Sequence, residues 1–306
     1  MAIVGPTGSG KSELAIEVAK KLNAEIIGCD ALQIYRELNV ATAKPSADEL
    51  TSVPHHLVDC VDPRQPFDLA RYVEMADQLI AKLQDEGHLA LVVGGTGMYL
   101  RGLLSGVIEA PKVDPELRAR LKAIVRRYPT SAITRWLRRI DPISAERIAP
   151  QDLQRVARAL EWWYGSGIRW SDRLAEQGEW ERAPRRYRCL TVGLEAATEW
   201  LSPRIESRVT QFFQAGLVDE VAALLKAGVP VESNAMKAIG YREVIEGLAA
   251  GLPEEWMKEQ VVTHTRRYAK RQRSWFRSET DIVWIDARLP LQERLERLLE
   301  AWSSFQ

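Results

Sequence analysis

The sequence predicts an α/β fold: a P-loop NTPase-like parallel sheet flanked by helices, with an all-helical insertion domain. Three observations predict it. Short, continuous apolar runs alternate with amphipathic helical stretches, as in parallel sheets that are covered on both faces. A glycine-rich loop joins the first apolar run to the first helical stretch. A long arginine-rich segment of helical pattern then separates the earlier strands from the later ones.

The predicted elements follow from these patterns. Strands are predicted at residues 1–4, 25–29, 89–93, 189–194 and 282–285. Helices are predicted at residues 13–22, 68–86, 202–226, 234–249 and 254–277, where apolar residues recur every three or four positions. The segment 114–165 is predicted to form several helices broken at prolines, and 165–184 a looser stretch. We therefore predict a core domain at 1–111 and 189–306, interrupted by a helical insertion at 112–188.

Charge is balanced overall but unevenly distributed. The 306 residues include 42 Lys and Arg against 42 Asp and Glu. Residues 112–188 hold 18 basic and 10 acidic residues, whereas residues 1–111 hold 9 and 15. A basic segment in a neutral chain is typical of a region that contacts a polyanion, although a solvated helical surface gives the same count.

The remaining composition predicts a soluble cytoplasmic protein. No apolar run approaches the roughly 18 residues of a membrane helix, and no signal-peptide pattern opens the chain. Cys29, Cys60 and Cys189 lie far apart without a CxxC pair, which predicts reduced thiols and excludes a disulfide framework or zinc site.

A phosphate-binding loop follows the first predicted strand. It consists of Gly5, Pro6, Thr7, Gly8, Ser9, Gly10, Lys11 and Ser12. Its glycines let backbone amides converge on phosphate oxygens at the start of a helix. Lys11 would neutralise the outer phosphate and Ser12 would bind Mg²⁺. The loop predicts a diphosphate or triphosphate ligand, and does not specify ATP.

Further candidates end the neighbouring strands. Asp30 is expected at the sheet edge where parallel α/β proteins bind ligands; it could bind magnesium, orient a hydroxyl, accept a proton, or only cap a helix. Thr96, within a Gly-Gly-Thr-Gly turn, could donate to a phosphate or bridging oxygen. His55 and His56 are adjacent and lack metal-ligand spacing, so a structural or hydrogen-bonding role is expected.

Residues 265–277 combine six cations with three aromatic residues on a predicted helix. Helical spacing puts positions 266, 270, 273 and 277 on one face. A cationic stripe beside aromatic rings suits a single-stranded RNA loop, whose bases stack and whose phosphates need neutralising. The alternative is a solvated helix with its aromatic residues in the core.

These residues resemble the bacterial tRNA dimethylallyltransferase (isopentenyltransferase) family, and the likeness covers nearly the whole chain. The blocks in order are GPTGSGKS at 5–12, DALQIY at 30–35, ATAKP at 41–45, HHLVD at 55–59, GGTGMY at 94–99, QRVARALE at 154–161, AIGY at 238–241 and KRQRSWFR at 270–277. Ala31, Ala41 and Ser12 depart from the residues usual in the family, without removing a charge that the mechanism needs.

The resemblance implies transfer of a dimethylallyl group from dimethylallyl diphosphate to N6 of the adenosine on the 3′ side of a tRNA anticodon. It implies that loop 5–12 binds the diphosphate with Mg²⁺, that Asp30 accepts the N6 proton, and that Thr96 bonds the bridging oxygen. The family also has an arginine on the diphosphate from a helix after the insertion. We assign it to Arg208, with Arg204 as the alternative.

The resemblance further implies that the partner is the tRNA anticodon stem-loop, gripped by the basic insertion. We expect a monomer with no membrane partner. The residues implied to contact tRNA are Asp30, Ala31, Leu32, Gln33, Thr96, Arg118, Gln154, Arg155, Val156, Ala157, Arg158, Lys237, Gly240, Tyr241, Arg242, Lys270, Arg271, Gln272, Arg273, Trp275 and Arg277.

Three other functions compete with this one. A small-molecule or nucleotide kinase would use the same P-loop, but it leaves the cationic helix and the basic insertion unexplained. An enzyme that prenylates free adenine nucleotides would not need either feature. An RNA-binding module with a vestigial P-loop would not need Lys11, Ser12, Asp30 and Thr96 together.

Overall fold

The computed structural model describes residues 1–107, 111, 113–176 and 185–306. The chain divides into two compact units, one formed by Met1–Gly106 with Tyr187–Gln306 and the other by Val107–Arg186. The first unit contains the sheet, and the elements described in the second are all helices. The division falls within a few residues of the predicted domain limits, of which residue 112 lies outside the described residues.

Six parallel strands in the described part of the chain form one sheet in the order β3-β2-β4-β1-β5-β6. They are β1 (Ala2–Val4), β2 (Ala24–Gly28), β3 (His55–His56), β4 (Leu89–Gly94), β5 (Thr191–Glu195) and β6 (Ile282–Asp286). The side chains of Ile3, Ile27, Leu91 and Val192 are fully buried, and each contributes about 1.5–3 kcal/mol by leaving water. The predicted parallel sheet flanked by helices is confirmed.

Fourteen helices are described. They are α1 (Lys11–Leu22), α2 (Ala47–Ser52), α3 (Leu69–Asp85), α4 (Gly97–Ser105), α5 (Pro115–Arg127), α6 (Thr130–Ile140), α7 (Pro142–Arg147), α8 (Leu153–Ser166), α9 (Trp170–Glu176), α10 (Thr198–Gln214), α11 (Leu217–Lys226), α12 (Tyr241–Ala250), α13 (Glu254–Arg277) and α14 (Leu291–Phe305). Their ends follow local chemistry: Asp68 caps α3 by accepting from the Arg71 amide, and Asn23 ends α1 in the left-handed conformation.

Strand register brings three loops to one edge of the sheet. Val4 pairs with Gly94, and Gly28 pairs with Val93. Because the strands are parallel, the segments that follow β1, β2 and β4 all leave from their carboxyl ends. The P-loop, Asp30 and Thr96 are therefore neighbours, although they lie far apart in sequence.

The second unit has its own apolar core. Helices α5, α6 and α8 contribute Leu121, Val125, Ile133, Leu137 and Leu160, each no more than 3% exposed. The first of these helices begins at a proline after Asp114, whose carboxylate accepts from the Glu116 amide. The apolar positions of this arginine-rich segment thus face inward, and most of its cations are left at the surface.

Two predicted helices have different bounds. The predicted helix 202–226 is divided into α10 and α11 because Gly216 adopts a left-handed conformation, with φ of 87°. The predicted helix 234–249 begins only at Tyr241. Gly240, with φ of 100°, stands at its N-cap and donates its amide to the Glu243 carboxylate at 2.7 Å.

The predicted loose stretch 165–184 contains a helix, α9. Trp170 lies at its start, and the centroid of its ring is 4.8 Å from that of Trp162. This contact packs α9 against α8. Apolar packing thus orders residues that lack a helical pattern of their own. Residues 177–184, with Trp180, lie outside the described residues.

The adjacent histidines form β3 at the sheet edge. His56 Nε2 lies 2.6 Å from the Glu25 carboxylate on the neighbouring strand, a hydrogen-bonding role as predicted. No helix in the described residues is both long and apolar enough to cross a membrane.

Candidate active site

A cavity of about 520 Å³ opens in the first unit at the carboxyl ends of β1, β2 and β4. Its walls come from the P-loop, the turns after β2 and β4, and parts of α10 and α13. Ionisable side chains from these elements line it, including Lys11, Asp30, Arg208, Tyr268 and Arg271. This volume is typical of small-molecule sites.

The P-loop carries β1 directly into α1. Gly8 and Gly10 have φ of 81° and 84°, a left-handed backbone that glycine adopts without steric cost. Gly10 is the N-cap of α1 and has no side chain to cap the helix, so the first helical amides remain available. Uncapped amides and the positive end of the helix dipole form an anion-binding site.

Two cations converge on this loop. Lys11 Nζ donates to the Pro6 carbonyl at 2.8 Å, and Arg208 Nη1 donates to the Thr7 hydroxyl at 3.2 Å. Enclosure of the ammonium and the proximity of Arg208 lower the pKa of Lys11 to about 7, and Asp30 partly opposes this. Burial also lowers the pKa of Arg208 below its usual value. An anion bound between them would relieve this repulsion.

Arg204, the alternative diphosphate ligand, has a different position. Its Nε donates to the Gly8 carbonyl at 3.0 Å, and its guanidinium stacks on the Trp200 ring at 4.4 Å. It is exposed and does not line the cavity, whereas Arg208 does. The geometry therefore favours Arg208 as the cavity arginine.

Binding of diphosphate is expected to take up a proton at pH 8. Lys11, with its pKa lowered to about 7 in the free protein, is then largely neutral, and the bound anion restores its charge. Affinity should fall by up to about tenfold per pH unit above pH 7. Calorimetry with Mg²⁺-free diphosphate in buffers of different ionisation enthalpy measures the uptake.

The Lys11→Met variant is the control for this measurement, because protonation of the diphosphate itself is common to both proteins. The difference in uptake between the two proteins should approach one proton at pH 8 and vanish at pH 5. Equal uptake by both proteins at pH 8 would contradict the assignment.

Asp30 lies in the turn after β2 and lines the cavity. Its Oδ1 accepts from the backbone amides of Leu32 at 2.9 Å and Gln33 at 3.3 Å. These bonds fix the carboxylate while, within the described residues, Oδ2 has no recorded hydrogen bond. Asp30 is thus a held carboxylate with one oxygen available to a ligand.

Thr96 stands at the start of α4, beside Asp30. Its Oγ1 accepts from the Ala31 amide at 3.2 Å, so its own proton is available for donation. Tyr268 lines the same cavity, and burial raises its pKa above the usual value. A neutral phenol and a hydroxyl therefore lie next to the carboxylate.

The glycines around Thr96 accommodate protein neighbours. A Cβ on Gly94 would lie 2.0 Å from the Cys29 carbonyl oxygen, and one on Gly95 would lie 2.0 Å from Gln272 Nε2. A Cβ on Gly97 would lie 2.1 Å from Trp275 Cδ1. These three positions are thus restricted to glycine by Cys29, which follows β2, and by α13.

The residues predicted to contact tRNA in the first unit differ in exposure. Exposed or half-buried residues that line the cavity are Asp30, Ala31, Leu32, Gln33, Thr96, Lys237, Arg242 and Arg271. Lys270 is exposed one residue before Arg271. This group provides a cationic border around a cavity that also contains the P-loop.

The predicted open cationic stripe on α13 needs correction. Arg266 pairs with Glu206 at 2.8 Å, Arg273 bonds the Thr198 hydroxyl, and Arg277 pairs with Glu195. The partners of these three side chains lie on α10 and β5, which pack beside α13. Trp275 packs against Arg101, whose guanidinium lies 4.2 Å from the ring centroid. Among the described residues of the helix, Arg267, Lys270, Arg271 and Arg277 are exposed cations, and Arg277 is the one of these four that pairs with Glu195.

Several side chains predicted to contact tRNA are buried instead. Gly240, Tyr241 and Gln272 are buried in the first unit, with Tyr241 fully inaccessible and its hydroxyl on Glu220 at 2.6 Å. Val156 and Ala157 lie in the core of the second unit. Gly240 has no side chain and the other four side chains are packed away from solvent, so contact of these five residues with RNA stays a prediction.

In the second unit, two of the side chains predicted to contact tRNA share one carboxylate. Gln154 and Arg155 are exposed at the start of α8. Arg118 and Arg158 both approach Glu161, at 3.4 Å and 3.2 Å, and the side chain of Glu161 is 5% exposed. A shared buried carboxylate fixes both arginines at the surface of this unit.

Family models match this chain along most of its length. A model described as IPP transferase matches residues 33–279, and one described as isopentenyl transferase matches residues 1–62. The chain belongs to the IPP transferase family. The resemblance seen in the sequence motifs is confirmed.

Other members of this family are similar across nearly the full chain. The tRNA dimethylallyltransferase 1 of Pelobacter propionicus is 43% identical over 286 residues, covering 94% of this chain and 92% of that protein. The tRNA dimethylallyltransferase of Desulforudis audaxviator is 40% identical over 289 residues, covering 94% and 91%.

Solved structures of IPP transferases share the fold. The full-length tRNA isopentenylpyrophosphate transferase of Bacillus halodurans has a TM-score of 0.74 and 32% identity, covering 99% of this chain and 95% of that one. A eukaryotic dimethylallyltransferase, solved acting on tRNA, has a TM-score of 0.83 and 27% identity, covering 99% and 78%.

Two features of this IPP transferase site were missed by sequence reasoning. Gln272 is buried with both ends of its amide bonded, to the Thr7 amide and the Gly95 carbonyl. The fully buried side chain of Glu243 accepts from Arg242 and lies 2.7 Å from His264 Nδ1. The Gly240–Glu243 spacing was an available signal for the second feature, since it is a helix-capping pattern.

The protein oxygens at this site suit a Mg²⁺ ion that is bound mainly by phosphate oxygens of the substrate. No group of three or more His, Cys, Asp or Glu side chains that could hold a metal occurs in the described residues. Ser12 offers an exposed hydroxyl at the start of α1. Mg²⁺ commonly binds through substrate phosphates, water and one or two protein oxygens, and the Ser12 hydroxyl could supply one of them.

Proposed function

We propose that this protein is a tRNA dimethylallyltransferase that moves a dimethylallyl group from dimethylallyl diphosphate to N6 of the adenosine 3′-adjacent to the anticodon. The observation that carries the proposal is one cavity lined by Lys11, Arg208, Asp30 and Thr96. Membership of the IPP transferase family and the names of its relatives support the same reaction.

The P-loop end of the cavity is proposed to bind the diphosphate. The first amides of α1, the Lys11 ammonium and the Arg208 guanidinium supply positive charge in a partly enclosed space. Charge grows on the diphosphate as it leaves, so these groups stabilise the transition state more than the bound substrate. Bound Mg²⁺, held by Ser12 and the phosphate oxygens, would add to this neutralisation.

The turn after β2 is proposed to receive the adenine. The base must leave its stack to reach the cavity, as in other enzymes that modify bases. The N6–carbon bond forms as the carbon–oxygen bond to the diphosphate breaks, and the N6 proton passes to Asp30 Oδ2. The Thr96 hydroxyl donates a hydrogen bond to the bridging oxygen, which leaves as part of the diphosphate.

The tRNA anticodon stem-loop is the proposed partner. Cations exposed at the cavity border, Lys237, Arg242, Lys270 and Arg271, would bind phosphates of the loop. In the helical unit, Arg118, Gln154, Arg155 and Arg158 would bind the stem. We propose that the enzyme acts as a monomer in the cytoplasm, where unmodified tRNA is present.

Changing Lys270 and Arg271 together to Gln is expected to weaken tRNA binding and to reduce its salt dependence. The logarithm of the association constant falls as the logarithm of the salt concentration rises, and each lost phosphate contact should reduce the steepness of this fall by about 1. Filter binding from 50 to 300 mM salt measures this slope. Arg297→Gln, at an exposed position of α14, is the matched control. An unchanged slope in the double variant would show that these cations do not contact phosphate.

Product analysis tests the proposed reaction. Purified protein is incubated with Mg²⁺, unmodified tRNA and either dimethylallyl diphosphate or ATP, and the nucleosides are analysed by mass spectrometry. Isopentenyladenosine is expected with dimethylallyl diphosphate alone. ATP consumption without a prenylated nucleoside would support the kinase alternative instead.

A further inference from the structure

Gln272 joins two loops that are proposed to bind the diphosphate and its bridging oxygen. Its Oε1 accepts from the Thr7 amide at 2.9 Å, and its Nε2 donates to the Gly95 carbonyl at 2.9 Å. The residue is only 5% exposed. One side chain therefore spans from the P-loop to the turn that carries Thr96.

The turn after β4 is shaped to admit this side chain. A Cβ on Gly95 would come within 2.0 Å of Gln272 Nε2, so the close approach needs a glycine there. One turn earlier on α13, Tyr268 lines the same cavity as Thr96. Residues four apart lie on the same side of a helix. The side of α13 that carries Tyr268 and Gln272, its inner side, thus packs against the proposed diphosphate site.

Exposed cations lie on the other sides of α13. Arg267, Lys270 and Arg271 are exposed. Helical spacing puts Lys270 opposite Gln272, whereas Arg271 lies at the cavity border. A single helix therefore connects a surface suited to RNA phosphates with the two loops that are proposed to bind the diphosphate. Packed side chains and rigid elements of this kind can carry energetic coupling between sites.

We propose that Gln272 is a positioning residue that couples tRNA binding on α13 to diphosphate binding at the P-loop. The inference rests on the proposed function. RNA bound to the outer side restrains α13 and with it Gln272, which holds the Thr7 amide and Gly95 in place. The diphosphate then binds to loops that are already ordered, so each ligand strengthens binding of the other by the same factor.

The test measures this coupling with inorganic diphosphate as the probe, so that no transfer occurs. Its Kd is measured by calorimetry with Mg²⁺, with and without saturating unmodified tRNA, for wild type and two variants. Gln272→Met keeps side-chain length but removes both hydrogen bonds. Gln272→Asn keeps the amide but is too short to span both loops. Glu259→Gln, at an exposed position of the same helix, is the control.

Wild type and Glu259→Gln are expected to bind diphosphate about 5- to 150-fold more tightly in the presence of tRNA. Both Gln272 variants are expected to lose most of that ratio while their Kd for tRNA alone changes less than about threefold. A merely structural residue would lower thermal stability or tRNA affinity without changing the ratio. Thermal unfolding identifies a variant that is not folded, in which case the other variant decides.

Two outcomes overturn the inference. Either wild type binds both ligands without coupling, or the folded Gln272 variants retain the wild-type ratio. If wild type binds neither diphosphate nor tRNA, the proposed function itself fails and the inference fails with it. Coupling that is lost in the variants supports the assignment.

Discussion

Asp30→Asn is expected to lower kcat for prenyl transfer by about 10²- to 10⁴-fold, the usual contribution of a positioned general base. The amide cannot accept the N6 proton, but its oxygen can still accept from the Leu32 and Gln33 amides that hold the turn. The loss should therefore appear in kcat rather than in the fold. Single-turnover formation of isopentenyladenosine measures it directly.

Tight binding of tRNA should survive this change, because Asp30 brings a negative charge to an RNA site and its removal costs no phosphate contact. Asp85→Asn, exposed at the end of α3, is the matched control and should keep wild-type turnover. If Asp30→Asn keeps wild-type turnover, or loses tRNA affinity in proportion to its activity, Asp30 is not the base.

Lys11→Met is expected to weaken diphosphate binding by about 2–5 kcal/mol, or about 30- to 5,000-fold, as when one partner of an enclosed charge pair is removed. The enclosed ammonium is proposed to meet the outer phosphate, and Met fills similar space without charge. The KM for dimethylallyl diphosphate should rise and kcat should fall, because the same charge stabilises the leaving group. Steady-state kinetics at saturating tRNA measure both parameters.

Lys20→Met on the same helix is the matched control, since Lys20 is exposed and pairs with Glu17. Its kinetics should equal those of wild type. The Lys11 variant should be at least as stable as wild type, because a lysine whose pKa is lowered by burial opposes folding at neutral pH. If folded Lys11→Met binds diphosphate as tightly as wild type, the P-loop is not the diphosphate-binding site.

The sequence was sufficient for five of the six described strands and for the P-loop because these depend on local patterns, whereas the two-residue strand β3 was not predicted. Continuous apolar runs predicted β1, β2, β4, β5 and β6, and glycines before Lys11 predicted the strand–loop–helix unit. The convergence of Asp30 and Thr96 followed from parallel topology alone. Helix α13 was predicted at its observed bounds, since its apolar positions recur along all 24 residues.

Sequence reasoning was less reliable where tertiary contacts decide the role of a residue. Gln272 looked like one polar residue among the cations of α13, and only the folded chain brings it to Thr7 and Gly95. Arg273 and Arg277 looked free because their partners, Thr198 and Glu195, are about 75–82 positions away in sequence. The late start of α12 depends on Gly240 adopting a positive φ, which helical periodicity does not reveal.

The most direct test of the proposed transfer is the amount of diphosphate released per prenylated nucleoside in an anticodon stem-loop. The assay uses wild-type protein, Mg²⁺ and dimethylallyl diphosphate, with a second stem-loop that carries purine, lacking the 6-amino group, at the target position. The proposal predicts one diphosphate released for each isopentenyladenosine formed with the first RNA, and none above background with the second. Equal diphosphate release with both RNAs, or release without a prenylated nucleoside, would contradict it.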